Sequence, residues 1–185
     1  MIEEDSVSLT TLVAAPPELA FEIFTQETDL WWGKGPRFRP LSHPQGRMIF
    51  EGKVGGRLLE HVDDSERPEV DSTPDFVLGR IQVWDPPSRL VFAMGGRDFA
   101  PADGAPSDRS KDTEDWPIVD ITFEAVSEGT RVHLVHRGFA RLAADHPVRH
   151  DLDPTSFLDI MGIFWADLLA AVQRHTNTSS IAESA

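Results

Sequence analysis

Between residues 157 and 172, nine apolar side chains recur at helical spacing: Phe157, Leu158, Ile160, Met161, Phe164, Trp165, Leu168, Leu169 and Val172. Asp159, Asp167, Gln173 and Arg174 are left for a polar side. This apolar arc is too wide for a helix lying on a surface, so the rest of the chain has to wrap around it. Gly162 costs roughly 1 kcal/mol against alanine in mid-helix, and its presence predicts close approach of the helix to a sheet.

The wrapping material is a run of strands. Residues 6–13 alternate and are rich in Val, Leu and Thr, which predicts a first strand. Pro16-Pro17-Glu18 opens a helix, because a proline N–H would have been unpaired in a first turn and Glu18 suits the positive end of the dipole. A short helical turn carries residues 29–32, and residues 33–46 form a loop. Six strands follow near residues 47–53, 57–62, 76–84, 89–94, 118–126 and 130–139. Gly55-Gly56, Asp85-Pro86-Pro87-Ser88 and Ser127-Glu128-Gly129 supply tight hairpins. The order predicts an α+β domain over residues 6–175, an antiparallel sheet around the last helix, and a polar disordered tail over 176–185.

Alternation sets direction within the sheet. Ile81, Val83, Leu90, Phe92, Val119, Ile121, Phe123, Val132 and Leu134 face the helix, and Asp120, Thr122, Glu124, Arg131 and His133 face water. In a meander the three tight turns share one end of the sheet. The long connections 63–75, 95–117 and 140–155 then share the other with the 33–46 loop, where they form a charged rim over the mouth of any interior cavity.

Charge is concentrated in those connections. The net charge is −14, and residues 60–75 and 98–115 together carry −10 of it, whereas 33–47 holds Lys34, Arg37, Arg39 and Arg47 and no acid. Such an acidic balance excludes a nucleic-acid surface, which requires a basic stripe, and disfavours an anionic membrane. The acidic N-terminus and the lack of an uninterrupted run of about 18 apolar residues predict a cytoplasmic protein with no membrane association. With no cysteine, disulfides, thiolate metal sites and thiol catalysis are all excluded.

Few residues advertise chemistry. His133 and His136 point to opposite faces of one strand and cannot share an ion, and His146 and His150 sit beside Pro147 in a loop. No metal and no cofactor is predicted, and neither a phosphate-binding loop nor a nucleophile elbow occurs. His136 shares the inward face of Val132 and Leu134. It is either a polar anchor for a ligand or a core histidine bonded to backbone or to the helix. Trp31, Trp32, Phe38, Phe50, Phe92, Met94, Met161, Phe164 and Trp165 either line a cavity or fill it.

The segments 13–21 (Val-Ala-Ala-Pro-Pro-Glu-Leu-Ala-Phe), Trp31-Trp32, 53–57 (Lys-Val-Gly-Gly-Arg), 79–90, 129–134 and 136–139 occur in register over about residues 7–175. Together they resemble the bacterial SRPBCC proteins of the START-like superfamily, in the branch of homologues of the heat-shock-protein-90 ATPase activator. The resemblance implies a helix-grip fold, with seven antiparallel strands curled around the C-terminal helix, often enclosing an apolar pocket. Its members bind lipids, hormones or polyketides, and a few are cyclases or hydrolases. The expected partner is a hydrophobic small molecule held by Trp32, Phe38, Phe50, Phe92, Met94, His136, Met161, Phe164 and Trp165. The alternatives are a co-chaperone-like protein contact through the acidic loops, with a possible homodimer, or an enzyme using the same pocket. Met94 stands where relatives often carry tryptophan, and the 95–117 insertion is longer than usual.

Overall fold

A computed structural model of the chain describes residues 5–39, 41, 43–63, 75–95, 116–142, 149 and 151–183. The acidic stretch 98–115, most of 60–75, and His146 and His150 lie outside the described residues. The order is β1 (Ser6–Val13), α1 (Pro17–Gln26), α2 (Thr28–Trp31), β2 (Arg47–Phe50), β3 (Arg57–His61), β4 (Phe76–Asp85), β5 (Arg89–Met94), β6 (Ile118–Val126), β7 (Gly129–Arg137) and α3 (Pro154–Glu183). The seven strands form one antiparallel sheet, β1-β7-β6-β5-β4-β3-β2, in which every neighbour except the β1–β7 pair is also a sequence neighbour. The meander therefore puts the tight turns at one end and the long connections at the other.

The inner face of the sheet and one side of α3 make the core. Val119, Ile121, Val132 and Leu134 are fully buried against Trp165, Leu168 and Val172, and each such side chain contributes about 1.5–3 kcal/mol relative to exposure. Residues 154–178 of α3 are long and apolar enough to cross a membrane by length and composition alone. Counting uninterrupted apolar runs misses this, because polar residues punctuate the helix. In the fold this helix is the element that the sheet grips.

Four details differ from the sequence expectations. A β-bulge between Ile81 and Val83 pairs Val83 with Val91 and Trp84 with Leu90. One extra residue inverts the alternation. Trp84, not Val83, therefore enters the core, edge-on to Phe21 at 5.2 Å. Ile160 and Ile163 are 44% and 56% exposed, so the buried stripe of α3 is narrower than its composition suggests. The helix continues to Glu183 where a tail is predicted, with Thr176 buried and Asn177 Oδ1 accepting from the Ala14 N–H at 3.0 Å.

The last difference concerns Gly162. A Cβ there would meet only Val7 Cγ1, at 3.9 Å, which is ordinary contact rather than the close approach that its position predicts. Gly129 is the opposite case, since its φ is +133° and a Cβ would fall 2.1 Å from the Val13 carbonyl oxygen. Gly162→Ala is expected to stabilise the protein by about 0.4–1 kcal/mol through the unfolded chain, roughly 1–4 °C in Tm. Gly129→Ala is expected to lower Tm, and thermal unfolding of the two variants checks both signs.

Candidate functional site

Alternate strands bring their C-terminal ends to the long-loop end of the grip: β3 at Glu60, β5 at Met94 and β7 at His136. The 33–46 loop closes over this end, and a buried cation shapes it. The Arg39 side chain is 1% exposed and pairs with Asp29 Oδ1 at 2.8 Å. It also donates to the carbonyls of Gly33 (3.1 Å), Trp32 (3.0 Å), Gly46 (2.6 Å) and Asp29 (3.3 Å). A planar guanidinium suits this task because its donors fan out in a fixed fork. Asp29 Oδ1 in turn accepts from the Met48 N–H at 3.0 Å, tying the end of α2 to β2.

The loop positions one predicted site residue directly. Trp32 Nε1 donates to the Phe38 carbonyl at 2.9 Å. The Phe38 ring lies so close over Gly33 that a Cβ there would come within 2.5 Å of it. Phe38 stacks on Phe164 (5.5 Å, 28°), and Phe164 and Trp32 both meet Trp165 edge-on. Phe50 and Phe92 form a second contact at 5.5 Å, joined to the first group through Phe24 and Trp31. Met94 and Met161 are half-buried and pack against the same cluster, so all nine predicted residues converge on one interior. Trp32, Phe50, Phe92, Phe164 and Trp165 are buried in mutual contact, while Phe38, Met94, Met161 and Phe76 form a half-buried apolar rim.

Three clefts lined by described residues lie outside the space between sheet and helix. One of them, about 410 Å³, is bounded by Phe139, Phe157 and Leu158, and Phe139 packs on the His136 imidazole at 4.5 Å.

His136 joins the two apolar clusters of the interior. It is 4% exposed, and Trp165 Nε1–H donates to its Nδ1 at 3.0 Å. That bond requires an unprotonated Nδ1, so the neutral ring carries its proton on Nε2. Nε2 has no partner. Burial pushes the His136 pKa down to about 3, because an imidazolium here would lose its hydration with no carboxylate to replace it. His61, at the rim, is shifted the other way. Its hydrogen bond with Asp75 at 2.7 Å raises its pKa, and a contact with Asp63 at 3.2 Å adds to this. It thereby clamps both ends of the 63–75 connection.

Sequence reasoning missed three contributors. Arg39 was counted among loop cations, Phe76 as a strand start, and Glu60 as the first member of an acidic stretch. The signal for Glu60 was available, since Leu58 and Glu60 share one face of β3. Among the described residues no group of three His, Asp or Glu side chains is arranged to hold a metal ion.

A single antiparallel sheet curled around a C-terminal helix, with an apolar aromatic-rich core between them, defines a helix-grip protein of the SRPBCC type. Residues 14–155 match the family described as Activator of Hsp90 ATPase homolog 1-like protein, and the chain belongs to it. Similar solved structures include protein NE0264 from Nitrosomonas europaea, with 16% identity, TM-score 0.57 and coverage of 98% of this chain and 99% of that one. Protein MLL2253 from Mesorhizobium loti is similar at 14% identity, TM-score 0.56 and coverage of 91% and 94%. The Aha1 dimer from Colwellia psychrerythraea is similar at 14% identity, TM-score 0.57 and coverage of 93% and 96%. No curated protein matches the chain by sequence.

The His136 environment has a pH signature. The folded pKa lies below the unfolded value near 6.5, so the unfolded chain takes up a proton that the native state refuses. Stability is expected to fall by up to about 1.4 kcal/mol per pH unit as pH drops from about 6 towards 4. In His136→Gln the amide can still accept from Trp165 but does not titrate, so this slope should flatten by one proton. Urea unfolding at pH 6.5, 5.5 and 4.5 measures it, and parallel slopes for the two proteins would refute the assignment.

Proposed function

We propose that the protein binds an apolar or aromatic small molecule in the grip interior, entered from the long-loop end, and acts as a binding module. The observation carrying this reading is the buried, unpartnered Nε2–H of His136 within an otherwise apolar wall. An unmade buried hydrogen bond costs about 1–3 kcal/mol, and native interiors rarely retain one without a use. The rim of Phe38, Phe76, Met94 and Met161 supplies side chains able to move aside, and methionine adapts to varied shapes. A carbonyl-bearing apolar molecule would satisfy Nε2 and replace the packing that the rim gives up.

Nile red, which is apolar and carries a carbonyl, tests the reading. Its fluorescence is expected to rise and the Trp165 indole N–H resonance to shift on binding. Met94→Trp takes volume from the rim and is expected to weaken the dye at least about fivefold, equivalent to roughly 1 kcal/mol. Absence of any fluorescence change, or affinity untouched by Met94→Trp and His136→Gln together, would overturn it.

A second reading is a protein contact of the co-chaperone kind. It is favoured by Ile160 and Ile163, exposed one turn apart on α3 and flanked by Asp159 and Asp167, and by the family to which the chain belongs. Stimulation of a chaperone ATPase at low salt, lost in the Ile160→Glu/Ile163→Glu variant and weakened at high salt by screening, is the expected outcome for that reading. No stimulation in low salt would dispose of it.

A further inference from the structure

A cleft of about 510 Å³ lies between the C-terminal half of α3 and the segment running from α2 to Lys34, outside the space between sheet and helix. That volume falls within the range of small-molecule sites. Its apolar lining comes from Leu30, which is 68% exposed, and from Trp31 and Ala171. Its polar lining comes from Lys34 on one side and from Arg174 and Thr178, one turn apart on α3, on the other.

The charges at this cleft run against those of the chain, whose net charge is −14. Elsewhere the cations are neutralised: Arg37, Arg39, Arg47, Arg57, Arg89 and Arg131 each meet a carboxylate at 2.6–3.1 Å. Lys34 and Arg174 are exposed and meet none among the described residues, yet both line this one cleft. An ammonium and a guanidinium bring donors and no acceptor. The N–H groups of Gly33 and Lys34, at the same cleft, likewise have no acceptor among the described residues. The acid on the lining, Asp29, is taken by Arg39 at 2.8 Å and by the Met48 N–H at 3.0 Å. His175 is paired with Glu27 at 2.6 Å. Unmatched cations and donors beside exposed apolar surface fit an anion that carries an apolar body.

We propose that this cleft binds a small phosphate monoester with an aromatic or short aliphatic alcohol part. Such an ester carries about −1.5 to −2 charge near pH 7, which two cations match and a carboxylate would not. A guanidinium offers two parallel hydrogen bonds to phosphate oxygens, and an ammonium adds a point charge. Leu30 then covers the alcohol part. The acidity of the chain favours a free ester over a headgroup, because an anionic bilayer would repel the protein. The site is separate from the grip interior and stands whether or not that interior takes a guest.

Phenyl phosphate, inorganic phosphate and benzoate, titrated into the full-length protein at low salt and about pH 7.5, where the ester is a dianion, test the site by amide NMR. Phenyl phosphate is expected to shift the Gly33, Lys34 and Thr178 amides saturably. It should bind at least about fivefold tighter than inorganic phosphate, which lacks the apolar body, or benzoate, which lacks the second charge. Lys34→Gln and Arg174→Gln should each weaken it about tenfold, the loss of one charged hydrogen bond. Leu30→Ser should reduce its advantage over inorganic phosphate. All three side chains are exposed, so Tm should hold in each variant. No saturable shift, shifts confined to His136 and Trp165, or undiminished binding in the Lys34→Gln/Arg174→Gln double variant would overturn the site. Benzoate binding as tightly as phenyl phosphate would overturn the phosphate assignment. Sedimentation with phosphatidylcholine vesicles containing phosphatidic acid separates the two sources of the head group: the protein is expected to stay in solution, and vesicle binding lost in the double variant would overturn the free ester. The Nile red response of the double variant should match the wild type, which keeps failure here distinct from failure of the interior reading.

Discussion

A buried guanidinium organises the open end of this fold. Arg39 gathers four backbone carbonyls and the Asp29 carboxylate into one knot. Burying a cation is costly unless every donor is used, and removing one partner of such a pair typically costs about 3–5 kcal/mol. The knot therefore ties the two ends of the 33–46 loop, Gly33 and Gly46, to one side chain. Phe38, whose carbonyl Trp32 holds, and Gly46, which roofs Glu60, both belong to that loop. Phe38 of the rim and the Gly46 cover over Glu60 are thus both carried by the loop that Arg39 ties.

The same interior treats its ionisable groups in contrasting ways. Arg39 is met on every side by acceptors, four backbone carbonyls and the Asp29 carboxylate, that replace its water. His136 is kept neutral because nothing opposite in charge faces it; its one bond, from an indole N–H, is available only to the unprotonated ring. At the rim, His61 has carboxylates on either side and is shifted upward. Its contribution to stability is complete below pH 6.5 and disappears as pH rises through its folded pKa, the reverse of His136. Burial with or without a counter-charge separates the two histidines.

Much of the architecture was legible because periodicity is a local property. The apolar arc of α3, the alternation of β6 and β7 and the tight turns all report on the residues that carry them. What escaped was non-local. The bulge at Ile81 and Val83 depends on how β5 pairs, and it placed Trp84 inside against the alternation. Arg39 escaped for a different reason: its acceptors lie within ten residues along the chain, but only the fold of the loop turns them onto the guanidinium. Glu60 read as part of an acidic run because composition counts charge and ignores which face of the strand carries it. The aromatic set was legible as a set, since Trp32, Phe38, Phe164 and Trp165 do meet, but whether such a set lines or fills a space is decided by packing between elements.

On the proposed interior-binding reading, the rim sets what an occupant has to offer in return. Admitting one gives up the stacking of Phe38 on Phe164, a pair worth about 0.5–1.5 kcal/mol beyond its buried area. Phe38's carbonyl is held by Trp32, so the ring can turn without moving the loop, and Met94 and Met161 can repack by rotating flexible side chains. Against this, a ligand acceptor meeting His136 Nε2 would recover about 1–3 kcal/mol. The apolar area that the rim loses to an aromatic guest is returned by the guest itself. A guest without an acceptor would recover only the area, so on that reading selectivity would come from hydrogen-bond chemistry more than from size.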